Sequence, residues 1–187
     1  MSKRIVIGIS GASGIIYGIR LLEVLKETDY EVHLVVSNSA KLTLAHETSL
    51  RFEDLTSLAS KVYSIDEVGA KIASGSFKTI GMVIAPCSVN TMSEIASCIT
   101  SNLLSRAADV AIKEKRRLVL MIRESPLHLG HLRNMVSLVE MGAVIAPPVP
   151  AFYTLPKSID DIVNHSVGKI LDLFDIKHSL SNEWQGL

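Results

Sequence analysis

Apolar residues fall along this chain in short unbroken blocks, separated by stretches with helical spacing. Arg4–Ile9 (RIVIGI) is an apolar run closed by serine and glycine, the pattern of a strand covered on both faces. Over residues 15–26, Ile15, Ile19, Leu22 and Leu25 share one helical face. A second strand is expected over 32–36, a helix over 39–47, and a third strand over 81–85, ended by Pro86. Helices are expected over 91–96 and 103–114, and a fourth strand over Arg117–Ile122. A helix over 129–141, a fifth strand over 143–146 and a helix from Ser158 to about 174 complete the series. Asp160 and Asp161 suit the first turn of that last helix. The polar stretch 49–76 lacks a clear period and reads as loop with short helices, while Pro147, Pro148 and Pro150 exclude regular structure. Buried strands alternating with helices predict an α/β fold: a doubly wound parallel sheet covered by helices on both faces.

Composition narrows the function classes. The chain has 187 residues, 48% hydrophobic and 20% charged, which suits one compact α/β domain over 1–187 with no linker or repeat. Nineteen basic and nineteen acidic residues leave no net charge, so nothing points to nucleic acid. Neutrality with a positive mean hydropathy hints at apolar surface covered by other subunits. Two cysteines make no disulfide framework, and no metal-ligand spacing joins them to the six histidines. The basic-then-apolar start is too short for a signal peptide and no run is long enough to span a bilayer, so a cytoplasmic setting is expected.

Ligands of open α/β sheets sit beyond the carboxyl ends of the strands. There the sequence supplies Ser10-Gly11-Ala12-Ser13-Gly14, Ser37-Asn38-Ser39, Pro86-Cys87-Ser88-Val89-Asn90-Thr91 and Arg123-Glu124-Ser125-Pro126. Any one serine is explained by helix capping or a turn. Hydroxyls at all four ends, with glycines permitting close approach and helix N-termini nearby, point to an anionic ligand. Gly8, Gly11 and Gly14 do not match G-x-G-x-x-G, no acidic residue follows the second strand, and Gly-Lys-Ser/Thr is absent. The GISGASG turn therefore reads as the cradle of a mononucleotide.

The blocks GISGASGIIYGIRLLEVL, HLVVS, MVIAPCS, NLLSRAADVAIKEKRRLVLMIRESPLHLGHLRNM, GAVIAPPVPAFYTLPKSIDDIV and EWQGL resemble the UbiX-type flavin prenyltransferases over nearly the whole chain. RESPL and PPVPAFY are the specific parts. The resemblance implies a Rossmann-like or flavodoxin-like three-layer sandwich that binds FMN, and transfer of a dimethylallyl group from dimethylallyl monophosphate to N5 and C6 of reduced FMN, without a metal. It further implies use of the prenylated FMN by a UbiD-type decarboxylase, in ubiquinone biosynthesis or aromatic-acid decarboxylation. A homo-oligomer is implied too, a dodecamer built from trimers with active sites at subunit contacts, and the tail 176–187 is expected at such a contact.

By position, the resemblance assigns FMN to Gly11, Ala12, Ser13, Ser37, Ser88, Val89, Asn90, Thr91 and Arg123. It assigns the donor phosphate to Lys113, Tyr153 and Lys169, with Arg106 nearby. Ser13, Glu47, Glu124 and Trp184 take catalytic places, Trp184 lining the prenyl pocket. The chemistry is coherent: allylic C–O cleavage needs cations at the leaving phosphate and a π-rich wall for the developing carbocation, a contact worth roughly 0.5–2 kcal/mol. On composition alone, Lys113 and Lys169 are ordinary helical lysines, Glu124 pairs with Arg123 on the surface, Glu47 is exposed and Trp184 is a packing anchor. Cys87 reads as a small packing residue, and His128 and His131 as structural. The chain departs from the family pattern at Val89-Asn90, where Met-Lys is frequent, at Lys169, where arginine is common, and mildly at Ser125, for threonine. Two alternatives stand: an FMN-dependent cysteine decarboxylase, which shares the Pro-x-Ser-x-Asn-Thr turn, and a non-catalytic flavin-binding subunit.

Overall fold

The computed structural model describes residues 3–180. Its six strands are β1 (Arg4–Ile9), β2 (Glu31–Val36), β3 (Lys61–Tyr63), β4 (Gly81–Cys87), β5 (Arg117–Ile122) and β6 (Val144–Ile145). They pair in parallel in the order β3-β2-β1-β4-β5-β6. The direction of winding reverses between β1 and β4, the place where a crevice opens beyond the strand ends in such sheets. Among the described residues seven α-helices cover the sheet: α1 (Ile15–Lys26), α2 (Asn38–Glu47), α3 (Phe52–Thr56), α4 (Val89–Ala96), α5 (Leu103–Lys113), α6 (Leu129–Glu140) and α7 (Ile159–Asp172).

The unbroken apolar strands follow from covering both faces. Ile5, Ile7 and Ile9 pack with Leu22 of α1 and Val167 of α7, whereas Val6, Met82 and Ile84 pack with Leu104 and Ala108 of α5. Successive strand residues thus enter opposite cores. At Pro86 this alternation slips. Val83 and Ala85 face the α1–α7 side, yet Cys87 joins Met82 and Ile84 on the other, and pairing with β5 shifts between Ile84 and Cys87. Pro86 therefore does not end the strand, as the sequence suggested. It sits in an irregularity where its missing N–H breaks no ladder bond, and Cys87 resumes the pairing.

The other boundaries lie within a residue or two of expectation. The element that periodicity missed is β3, a three-residue edge strand too short to show a pattern. A short 3-10 turn over Phe152–Thr154 also follows the prolines. Ser158 opens α7 as expected, in a capping box with Asp161. Ile176 is buried in the α1–α7 core and Leu180 packs against it. That part of the tail packs on its own chain. Residues 181–187, with Trp184, lie outside the described residues. Among the described residues no helix is long and apolar enough to cross a membrane.

Candidate functional site

The loops after β1, β2, β4 and β5 close around a cavity of about 460 Å³. Gly11, Ala12, Ser37, Ser88, Val89, Asn90, Thr91 and Arg123 line it, as does Glu124. Ser13 stands beside it: Arg123 Nε donates to the Ser13 carbonyl at 3.0 Å, tying the end of β5 to the loop after β1. The strand ends thus bring together residues that lie more than a hundred positions apart.

The glycine turn does two specific jobs. A Cβ on Gly11 would lie 2.3 Å from Ser39 Oγ, so only glycine lets the start of α2 close against this loop. Gly14 takes the left-handed conformation (φ 97°) as the N-cap of α1, with no side-chain cap of its own. The cap comes from afar. The Glu47 carboxylate, at the last residue of α2, accepts from Gly14 N–H at 2.9 Å and Ile15 N–H at 3.0 Å. A carboxylate is unfavourable at the end of its own helix and favourable at the start of another. The Gly14 and Ile15 amides are thus held by an acid of the chain, and it is the Gly11-Ala12 part of GISGASG that faces the cavity. Partial burial pushes the Glu47 carboxyl up. The Ser13 hydroxyl, the Gly14 and Ile15 amides and the Arg123 charge outweigh it and hold the group below its ordinary value.

A depressed native pKa contributes stability above the unfolded value, about 4.3 for glutamate, which is lost as pH falls through the native value. A cap of this kind at a solvent-exposed position contributes about 1 kcal/mol. Glu47→Gln should therefore lower the melting temperature by about 2–4 °C at neutral pH. The gap to the parent protein should narrow as pH falls from about 4.3 through the lower native value. Thermal unfolding across pH measures it, and a gap that does not narrow in acid would remove the carboxylate as its cause.

The serines divide their roles. Ser37 caps α2 by accepting from Ala40 N–H at 3.1 Å, and its hydroxyl lies 3.0 Å from that of Ser39, also on the cavity wall. Ser88 caps α4 through Thr91 N–H at 3.2 Å. Capping and facing the cavity are compatible, since a cap takes the third amide of the helix and leaves the first two without an intrahelical acceptor. Ser10 is different. It is buried, donating to the Pro86 carbonyl at 3.0 Å and accepting from Ser88 N–H at 2.7 Å. Cys87 is fully buried and burial pushes its thiol far up, which disqualifies it as a nucleophile.

The residues nominated for the donor phosphate are not all together. Tyr153 Oη lies 3.3 Å from His165 Nε2. His165 and Lys169, one turn apart on α7, line a small cleft of about 90 Å³ with Pro147, Pro148 and Val149. Lys169 Nζ is 3.7 Å from Asp172. Arg106 pairs with Asp109 on α5 at 3.1 Å. Lys113 ends that helix, 3.6 Å from Glu114 and on the order of 16 Å along the axis from its start at the cavity, toward the amino ends of the strands. Within one chain Lys113 does not reach the Tyr153–Lys169 cleft. Glu124 Oε1 accepts from Ser125 N–H at 2.9 Å. His128 caps α6 through Gly130 N–H and stacks on His131 at 3.6 Å, a structural role as expected. Cavity residues the sequence did not single out are Ile65, Glu94, Asn102 and Leu104. Only Glu94 carried a local signal, at one helical turn from Asn90.

A doubly wound sheet with this cavity at its switch point is the architecture of nucleotide-binding flavoproteins, and the family model described as Flavoprotein matches residues 1–173. The chain is 58% identical over 183 residues to the flavin prenyltransferase UbiX of Thauera aromatica, covering 98% of this chain and 94% of that protein. A solved UbiX (PadA1) in complex with FMN and dimethylallyl pyrophosphate superposes with a TM-score of 0.98 at 44% identity, covering all of both chains. A dodecameric FMN-dependent UbiX-like decarboxylase from Escherichia coli O157:H7 superposes with a TM-score of 0.95 at 43% identity, covering 98% of this chain and 100% of that one. The chain belongs to the flavoprotein family, in its UbiX-type flavin prenyltransferase branch.

Proposed function

We propose that this chain transfers a dimethylallyl group from dimethylallyl monophosphate to reduced FMN, and that the product serves a UbiD-type decarboxylase. The observation that carries this reading is the pairing of two ligand sites. One is the switch-point cavity, and the other is the separate cleft lined by His165 and Lys169, with the Tyr153 hydroxyl on His165. A flavin carrier needs no second phosphate site.

The cavity residues suit FMN. Gly11, Ala12, Ser13, Ser37, Ser88, Val89, Asn90, Thr91 and Arg123 form the binding set. The Ser37 and Ser39 hydroxyls and the first amides of α2 suit the phosphate, since Glu47 already occupies the α1 terminus. Reduced FMN, when bound, supplies the nucleophilic ring atoms. Ser13, hydrogen-bonded to Glu47, and Glu124 at the cavity edge hold protons and orient the ring. Arg123 offers a fixed charge between them. Tyr153 and Lys169 stabilise the departing phosphate as the allylic C–O bond opens, with no metal assigned to that task. Trp184, outside the described residues, is the proposed wall for the carbocation.

Lys113 and Arg106 join this chemistry through a neighbouring subunit of a homo-oligomer, proposed as a dodecamer built from trimers; the relative from Escherichia coli O157:H7 is dodecameric. The exposed apolar stripe Leu129, Leu132, Val136 and Val139 along α6, with Phe152 and Leu155 nearby in sequence to the cleft, supports such contacts. The cytoplasm is the proposed location.

Anaerobic incubation with reduced FMN and dimethylallyl phosphate, followed by mass spectrometry of the flavin, should show a gain of one five-carbon unit. Tight FMN binding without that gain would leave the carrier reading. Release of carbon dioxide from a cysteinyl peptide would favour the decarboxylase suggested by PCSVNT. Lys169→Ala should raise the KM for the donor about tenfold with FMN affinity unchanged, whereas equal losses would move Lys169 out of the donor site.

A further inference from the structure

The cavity wall made by α4 and α5 holds a carboxylate with both oxygens committed. Glu94 Oε1 accepts from Asn90 Nδ2 at 3.0 Å, and Oε2 accepts from Asn102 Nδ2 at 3.0 Å. All three residues line the cavity. A carboxylate only accepts, so each amide must turn its NH2 group toward it. Asn102 is fixed from its other end as well, because its Oδ1 caps α5 by accepting from Ser105 N–H at 3.0 Å. Asn102 therefore anchors Glu94, and Glu94, one turn along α4, decides which way the Asn90 amide points.

We propose that Glu94 is a positioning residue that holds the Asn90 carbonyl oxygen toward the cavity as a hydrogen-bond acceptor for the ring N–H of the flavin. The assignment rests on the reading of the cavity as an FMN site. The oxidised flavin ring has one N–H, at N3, flanked by two carbonyls. A freely turning amide would serve either group, but a fixed oxygen selects the N–H. Charge agrees with this placement. The Glu94 wall repels a phosphate, which the Ser37–Ser39 side accepts. Val89-Asn90 stands where Met-Lys is frequent in the family pattern, so at Asn90 the wall of this chain accepts where a lysine would donate.

The test compares dissociation constants of oxidised FMN and its N3-methyl derivative, read by flavin fluorescence, for the full chain and for Glu94→Gln and Asn90→Ala. The parent protein should prefer FMN by about tenfold, the loss of one well-placed hydrogen bond. Glutamine nearly matches glutamate in shape but can donate, which frees the Asn90 amide to turn, so the preference should fall to about twofold. Asn90→Ala, at an exposed position, should do the same without disturbing the α4–α5 contact. A purely structural Glu94 would weaken both flavins equally and leave the ratio intact, which overturns the proposal. Equal binding of both flavins by the parent protein overturns it too. Failure of the parent to bind either flavin overturns the FMN reading itself, a distinct result.

Discussion

Replacing Arg123 by alanine is expected to slow prenyl transfer by roughly 10²–10³-fold while leaving the fold intact, the usual loss when a preorganised charge or donor is removed from a reacting centre. Arg123 follows the last residue of β5 and is held at two points. Its N–H donates to the Cys87 carbonyl at 3.1 Å and its Nε to the Ser13 carbonyl at 3.0 Å. The guanidinium is thus preorganised at the cavity beside the Ser13–Glu47 contact, and its charge contributes to the depressed pKa of Glu47. Arg123→Lys keeps the charge but loses the planar fork, so it should recover only part of the rate, to within about tenfold of the parent. Single-turnover formation of prenylated flavin gives the rate, and thermal unfolding checks the fold. An alanine variant with more than a tenth of the parent rate would place Arg123 outside the chemistry.

Ser10→Ala should cost about 3 kcal/mol of stability, since it strands a buried carbonyl and a half-buried amide at about 1–3 kcal/mol each. For a chain of this length that lowers the melting temperature by about 6–12 °C. The Ser10 hydroxyl bridges the ends of β1 and β4, taking Pro86 O and Ser88 N–H at the point where β4 slips register. Both groups sit next to the cap of α4, so FMN affinity should fall as well. Circular dichroism melts provide the measurement. A loss below about 2 °C would mean that another group, such as a water, replaces the hydroxyl.

The contrast between Ser10 and Ser37 explains how far the sequence could be read. Both are serines just past an apolar strand, and their local patterns are alike. One points into the interior between two strand ends and the other lies at the cavity, a distinction set by the twist and pairing of the sheet. Glu47 follows the same logic. In AHET it is an unremarkable helix-end acid, yet the α1 terminus it caps lies more than thirty residues away. Glu94 was more accessible, since its spacing from Asn90 is local, but its second tie to Asn102 crosses to another helix. Lys113 carried a role by resemblance alone, and within a single chain its helix carries it away from the donor cleft.

Periodicity, turn residues and caps follow from interactions within a few residues, so the strand–helix alternation, the parallel sheet and the set of polar strand ends are encoded locally and could be read along the chain. RESPL, PPVPAFY and the blocks around them added the chemistry through likeness to a family. What lay beyond reach were contacts between distant segments. The three-residue edge strand, the slip at Pro86 and the Glu47 cap on α1 arise only when strand order brings distant segments together. Their energies come from pairing groups across the sheet, and no window of sequence contains both partners.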